Sequence, residues 1–138
     1  MTKQERFDRF YLEMALNTAN FSYCIRKKVG CVIVKDDVIV LGYNGTPSGM
    51  PNVCEGPDGE TEWYVFHAES NALSKVMTSS ISSKGATMYN TFSPCINCAK
   101  LIIQAKIARY VYIDTHSDTR GLDLMRQCGV IVEHMPMQ

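Results

Sequence analysis

Between residues 3 and 19 apolar side chains recur at steps of three and four. Phe7, Phe10, Tyr11, Met14 and Thr18 share one side, and Lys3, Glu5, Arg6, Arg9 and Glu13 fall largely on the other. That spacing predicts an amphipathic helix with its aromatic stripe turned into the core. The period then changes. Val29 to Val34 is rich in β-branched residues, Lys35-Asp36-Asp37 is a polar turn, and Val38 to Leu41 is a second apolar run, so the stretch predicts an antiparallel hairpin with largely buried strands. Glycine and proline crowd the next segment, Gly42-Tyr43-Asn44-Gly45-Thr46-Pro47-Ser48-Gly49, and recur at Pro51, Gly56, Pro57 and Gly59, so a loop is expected as far as Phe66.

Helical spacing returns from His67 to about Met77, with Ala72, Leu73 and Val76 in phase, and again from Pro94 to about Ala105, with Ala99, Ile102 and Ile103 facing inward. Short apolar runs at Ala86 to Asn90, Arg109 to Ile113 and Val130 to Val132 read as strands, and Thr119 to Cys128 as a short helix closed by Gly129. A helix between the last two strands makes them parallel, because a tight hairpin has no room for it. The expected fold is therefore a three-layer α/β/α arrangement with a mixed five-stranded sheet.

A length of 138 residues with 46% hydrophobic content suits one domain, residues 1 to 138. Fourteen basic and fourteen acidic residues cancel, which leaves no long-range positive field to gather nucleic acid. Neither a charged-then-apolar leader nor an apolar run of membrane-spanning length is present, so the expectation is a cytoplasmic protein without a membrane partner. On that expectation the six cysteines read as thiols and metal ligands rather than as a disulfide framework.

Candidate chemistry concentrates at His67-Ala68-Glu69 and Pro94-Cys95-Ile96-Asn97-Cys98. One imidazole and two thiolates make three ligands, which leaves a fourth tetrahedral position on zinc open for water, the mark of a catalytic site. Zinc lowers the pKa of bound water from 15.7 to about 7. Cys95 and Cys98 stand three apart just after a proline, on one side of a first helical turn, where free amides and the positive dipole end favour thiolate. Taken alone, a C-x-x-C pair also serves redox chemistry or half of a zinc ribbon, and a lone histidine is commonly structural. The combination H-x-E with P-C-x-x-C is the signature of zinc-dependent nucleobase deaminases, in which a glutamate that is not a ligand carries protons; here that is Glu69. Arg26-Lys27-Lys28 is the most basic short run, a solvated turn or a phosphate site.

Four stretches resemble the deoxycytidylate (dCMP) deaminases of the zinc-dependent cytidine deaminase-like family. They are Cys24-x-Arg26-x-x-Val29-Gly30-Cys31-Val32-Ile33-Val34, Gly42-Tyr43-Asn44-Gly45-Thr46-Pro47-x-Gly49, His67-Ala68-Glu69-x-Asn71-Ala72 and Ser93-Pro94-Cys95-x-Asn97-Cys98. The zinc signature is shared with tRNA adenosine and free cytidine deaminases; the G-Y-N-G-x-P loop narrows the match. The resemblance implies hydrolysis of dCMP to dUMP and ammonia, for thymidylate synthesis. It implies one catalytic Zn2+ on His67, Cys95 and Cys98, proton transfer by Glu69, and substrate contacts from Asn44 to the sugar, Arg26 to the 5′-phosphate, and the backbone at Ala68 and Ser93 to the pyrimidine. It leaves Tyr112 and His116 as alternatives for stacking on the base.

Many such relatives are hexamers, activated by dCTP with Mg2+ and inhibited by dTTP, so a homo-oligomer with an effector site around Lys28, Asn44 and Gly45 is implied, in the cytoplasm or, for a virus-encoded chain, the host cytoplasm. Several relatives hold a second, structural zinc with cysteines like Cys24 and Cys54. Here residues 55 to 66 contain neither Cys nor His, so two free thiols or a disulfide are expected instead. Other readings are a deaminase of dCTP, of a nucleoside or of single-stranded nucleic acid, and a non-catalytic zinc or nucleotide-binding module. A nucleic-acid deaminase calls for a basic stripe with stacking aromatics. A binding module has no use for Glu69.

Overall fold

Asp36 and Asp37 both take positive φ, 49° and 65°, the backbone of a tight hairpin turn whose twist matches its strands. They join β1 (Gly30–Lys35) to β2 (Val38–Tyr43) in register from Lys35 opposite Val38 to Gly30 opposite Tyr43. In the computed structural model, which describes residues 1–137, this hairpin follows α1 (Lys3–Ala19) and precedes α2 (Ala68–Met77), β3 (Thr87–Phe92), α3 (Ile96–Gln104), β4 (Arg109–Asp114), α4 (Arg120–Gln127) and β5 (Ile131–His134). The sheet order is β2-β1-β3-β4-β5. β1 is antiparallel to both neighbours, whereas β3, β4 and β5 are mutually parallel, so the expected parallel pair extends to three strands.

Alternation along the strands divides the core into two. Cys31, Ile33, Met88, Tyr110 and Tyr112 face α2, α3 and α4, while Val32, Tyr89, Val111 and Ile113 face α1. The three-layer α/β/α expectation holds. Among the described residues no helix is long and apolar enough to cross a membrane.

Two expectations fail in detail. β2 is an edge strand, and Val38 and Ile39 are about two-fifths exposed rather than buried. In α1 the inward side is Asp8, Leu12, Ala15, Thr18 and Ala19, with Tyr11 and Met14 half-buried, whereas Phe7 and Phe10 are exposed. The reason is steric. A Cβ on Gly30 would fall within 3 Å of the Ala15 carbonyl and the Ala19 amide, so α1 lies against β1 along its small residues.

A buried ion pair fixes the other end of α1. Arg109 of β4 grips Asp8 with two guanidinium nitrogens, at 2.8 and 2.6 Å, and donates a third hydrogen bond to Glu133 of β5. The Tyr89 hydroxyl donates to Asp8 at 2.7 Å, and the Gln4 side-chain amide donates to the same carboxylate at 3.0 Å. Burial alone would raise the Asp8 pKa, but the bonds from Arg109, Tyr89 and Gln4 outweigh it and hold the carboxyl below its usual range.

Truncating one partner of such a pair leaves the other charge uncompensated, so Asp8→Ala is expected to cost about 3 kcal/mol at neutral pH. Because the folded pKa is depressed, the contribution is complete above the unfolded value of about 3.9 and is lost as pH falls through the folded one. Denaturant unfolding at pH 7 and pH 3 should show the gap between parent and variant narrowing in acid; a constant gap contradicts the assignment.

Candidate active site

His67 and Cys95 are the N-cap residues of α2 and α3, each with extended backbone just before the first helical turn. The sequence expectation put Cys95 inside the helix; it caps it instead, its sulfur accepting from the Cys98 amide at 3.4 Å. Two local features aim α2. Gly45 and Phe66 exchange backbone hydrogen bonds of 3.1 and 2.8 Å, which ties the glycine loop to the residue preceding His67. At Gly42 a Cβ would stand 2.5 Å from both the Ala68 carbonyl oxygen and the Ala72 amide nitrogen, so only glycine lets the first turn of α2 sit this low on β2.

The two caps meet. His67 Nδ1 lies 3.3 Å from Cys98 Sγ and 3.5 Å from Cys95 Sγ. All three donor atoms fall within 4.8 Å of one another. Ligands bonded to one tetrahedral zinc, at about 2.0–2.1 Å for nitrogen and 2.3 Å for sulfur, stand about 3.5 Å apart, so both the donor chemistry and the spacing fit that ion.

Charge at the cluster is unevenly held. A hydrogen bond from the Cys98 thiol, with another from His67, draws the Cys95 pKa down to about 3, and the same contact pushes Cys98 well up. The bond to Cys95 raises His67 above its ordinary value. Glu69, on the next turn position of α2, is 4% exposed. Its burial raises the carboxyl pKa, opposed chiefly by its own backbone amide.

Above this floor opens a cavity of about 300 Å³, bounded by His67, Ala68, Glu69 and Cys95 on one side and by Arg26, Lys27 and Asn44 on another. Asn44 spans two backbone groups, its Oδ1 accepting from Val29 at 2.9 Å and its Nδ2 donating to the Lys27 carbonyl at 2.8 Å. The loop thereby holds the basic segment in place. Arg26 reaches Glu60 at 2.6 Å, both side chains exposed, and Lys27 Nζ sits 3.3 Å above the Phe92 ring. Ser93 is buried, and its hydroxyl accepts from the His116 amide at 2.6 Å.

The model of the cytidine and deoxycytidylate deaminase zinc-binding region matches residues 5–114. The chain belongs to that family. Among similar cytidine and deoxycytidylate deaminases, the deoxycytidylate deaminase of Saccharomyces cerevisiae is 31% identical over 137 residues, covering 91% of this chain and 44% of its own length. The deoxycytidylate deaminase of Enterobacteria phage T4 is also 31% identical, with 91% of this chain and 88% of the relative covered. The chain thus spans less than half of the yeast relative and most of the phage one. The crystal structure of dCMP deaminase from cyanophage S-TIM5 in complex with dCMP and dUMP is 41% identical, covers 98% of this chain and 99% of that one, and superposes with a TM-score of 0.91.

Of the residues that resemblance singled out, His67, Glu69, Cys95, Arg26, Asn44, Ala68 and Ser93 line this cavity, with Cys98 beneath it. Lys28 and Gly45 do not: Lys28 donates to the Ser22 carbonyl, and Gly45 borders a separate small hollow with Tyr23, Tyr43 and Thr46. Between the two stacking candidates the structure separates cleanly. His116 lines the cavity, whereas Tyr112 is buried against His134, with ring centroids 4.8 Å apart. Sequence reasoning missed Thr61 and Val65, which line the cavity from the loop before α2, and Glu55, whose carboxylate accepts from the Ile25 and Arg26 amides. No motif marks any of these three. Cys24 and Cys54 form a disulfide, the alternative to a second zinc that the resemblance left open.

Elemental analysis of the purified protein should give one zinc per chain. His67→Ala or Cys98→Ala should abolish it, while Cys24→Ser should leave it unchanged; a second equivalent that disappears with Cys24 would place a metal where the disulfide stands.

Proposed function

We propose that this chain is a single catalytic domain that hydrolyses dCMP to dUMP and ammonia. The observation that carries the reading is the meeting of one imidazole nitrogen and two cysteine sulfurs beside a buried carboxyl group, under a cavity rimmed with cations. The names of the similar proteins support the choice of dCMP, and the cyanophage relative was crystallised with both dCMP and dUMP.

His67, Cys95 and Cys98 would hold zinc, which supplies the Lewis acidity that makes water a usable nucleophile near neutral pH. Glu69 takes one proton from water and passes it to the ring nitrogen beside the carbon under attack, then takes the second from the hydroxyl now on that carbon and passes it to the departing amino group. Water's oxygen ends on that carbon, the carbon–nitrogen bond breaks, and ammonia leaves with no change of oxidation state. Burial suits Glu69 to this work, because raising the carboxyl pKa makes its carboxylate a stronger base toward the water proton than a solvated one. The backbone at Ala68 and Ser93 borders the base, with His116 on the outer side; Asn44 faces the sugar, and Arg26 with Lys27 the 5′-phosphate.

By the same resemblance we assign an effector function, dCTP with Mg2+ activating and dTTP inhibiting, to the surface around Lys28, Asn44 and Gly45, in a cytoplasmic homo-oligomer, a hexamer. Exposed Phe7, Phe10 and Phe21 supply apolar surface for subunit contacts.

Glu69→Ala should keep its zinc and fold while losing at least about a hundredfold in kcat; undiminished turnover removes the mechanism. Ammonia release should be fastest from dCMP in a panel with dCTP, CMP, deoxycytidine and a short single strand. Replacing Arg26 and Lys27 together by alanine should raise KM for dCMP about tenfold or more and leave deoxycytidine turnover nearly unchanged. If dCMP saturation stays hyperbolic and indifferent to both triphosphates, the effector assignment fails.

A further inference from the structure

β2 is an edge strand with β1 on one side only, so the outward carbonyls near its end find no strand partner. Helix α2 supplies side chains in place of a strand. Asn71 Nδ2 donates to the Tyr43 carbonyl at 2.7 Å, and Lys75 Nζ donates to the Leu41 carbonyl. Gly30, opposite Tyr43 in the hairpin, gives its own amide to the Thr91 hydroxyl at 3.1 Å instead. The match between helix and strand is geometric: Asn71 and Lys75 stand about 6 Å apart along the helix axis, and residues two apart on a strand are separated by about 6.7 Å. Asn71 is short, and it reaches β2 because Gly42 lets the helix lie this low.

The two bonds differ in what lies beyond them. Leu41 is followed by more strand, whereas Tyr43 is the last residue of β2 and its carbonyl belongs to the peptide unit whose nitrogen is that of Asn44. That nitrogen donates to the Val29 carbonyl at 3.4 Å. One planar group is therefore gripped at its oxygen by α2 and at its N–H by the segment that follows Arg26-Lys27-Lys28. The Asn44 side chain in turn fixes Lys27 and Val29 through bonds of 2.8 and 2.9 Å, and the Asn44 carbonyl accepts from the buried Ser22 hydroxyl at 2.8 Å. On its other side Asn71 is tied to the cap of α2, its backbone amide donating to the His67 carbonyl at 3.0 Å. From His67 to Lys27 the connection is continuous.

We infer that Asn71 is a positioning residue for nucleotide binding: by holding the plane of the Tyr43–Asn44 peptide against α2, it sets the basic segment at a fixed place relative to the start of that helix. The inference rests on the reading that Arg26 and Lys27 take the 5′-phosphate. Only a donor suits the place, since the partner is a carbonyl oxygen; a carboxylate of the same shape would set oxygen against oxygen. Asn71 is not part of the cavity lining, so it acts through Asn44 and not by contact with the nucleotide.

Asn71→Ala removes the donor and favours the helix, so it should raise KM for dCMP about fivefold or more while kcat stays within about threefold and zinc content is unchanged. Lys75→Met is the control, because it removes a bond of the same kind from the same strand edge. It should leave KM within about twofold of the parent. In a chain that already lacks the Arg26 and Lys27 side chains, Asn71→Ala should add no more than about twofold to KM, since a residue acting through that segment then has little left to position.

An unchanged KM in Asn71→Ala, an equal rise in Lys75→Met, a loss confined to kcat or tracking depleted zinc, or a full independent effect on top of the Arg26 and Lys27 replacement overturns the inference. If Asn71→Ala does not fold, Asn71→Asp decides, and a KM equal to the parent's overturns it there too. Failure of the underlying reading looks different: the parent releases no ammonia from dCMP, or replacing Arg26 and Lys27 leaves KM for dCMP unchanged. An active parent that is weakened by the Arg26 and Lys27 replacement but indifferent to Asn71→Ala would sink the Asn71 role alone.

Discussion

The near-contact of α2 with the sheet at Gly42 is the constraint on which the site depends. Ala68 and Ala72 are wholly buried where the helix passes over β2, so there is no slack for α2 to rise and let in a side chain. A methyl group at Gly42 must therefore move the helix start, and His67 and Glu69 with it. The partner helix is held by a similar device. At Gly121 a Cβ would come 3.0 to 3.2 Å from Ala99 and from the carbonyls of Pro94 and Cys95, so α4 braces the first turn of α3 through an absence of side chain. Both caps are thus set by close packing of backbone on backbone, which resists small displacements far more stiffly than long side chains do.

That placement has electrostatic consequences. The amide groups at two helix starts point toward one spot, and each favours negative charge there. Cys95 is favoured as thiolate there, its pKa drawn down to about 3, while the contact with it pushes Cys98 well up. Glu69 stands close enough to feel this charge but is too buried to shed it into water. The same packing that brings the ligands together therefore also keeps the carboxyl dry. The proposed proton carrier and the proposed metal ligand share the start of α2 because one side of the helix opens to the cavity and the other is sealed against the sheet.

What could be read from the chain follows from how local each signal is. Period and turn chemistry are local, and element types and order came through them with ends shifted by one or two residues. The convergence of His67, Cys95 and Cys98 was legible because His67 and Cys95 start helices whose first residues carry the motif. Sides of elements were less legible. The aromatic stripe of α1 suggested the core, but the helix is rotated toward Ala15 and Ala19 by the contact with Gly30, a pairing between residues far apart in sequence. Asp8, which reads as a surface acid, is buried for a reason located a hundred residues away, at Arg109. Thr61, Val65 and Glu55 lie in a loop without periodicity, and nothing in their neighbours marks what they touch.

The rim of the cavity combines a preset backbone with an uncommitted side chain. The Cys24–Cys54 disulfide and the Glu55 carboxylate pin residues 24 to 26 to the following loop, and Asn44 pins residues 27 and 29, so the basic segment cannot drift when an anion arrives. Its charges are held more loosely. The Arg26–Glu60 pair is exposed on both sides, where an ion pair is worth about 0–1 kcal/mol, well below what a bidentate contact with a doubly charged phosphate offers. Glu60 thus keeps Arg26 near the mouth without competing strongly for it, and Lys27 rests on Phe92 with no ion pair among the described residues, so both suit the phosphate of the proposed substrate. Binding of the proposed nucleotide then costs little reorganisation of the chain and leaves the interaction energy free to act on its reacting end.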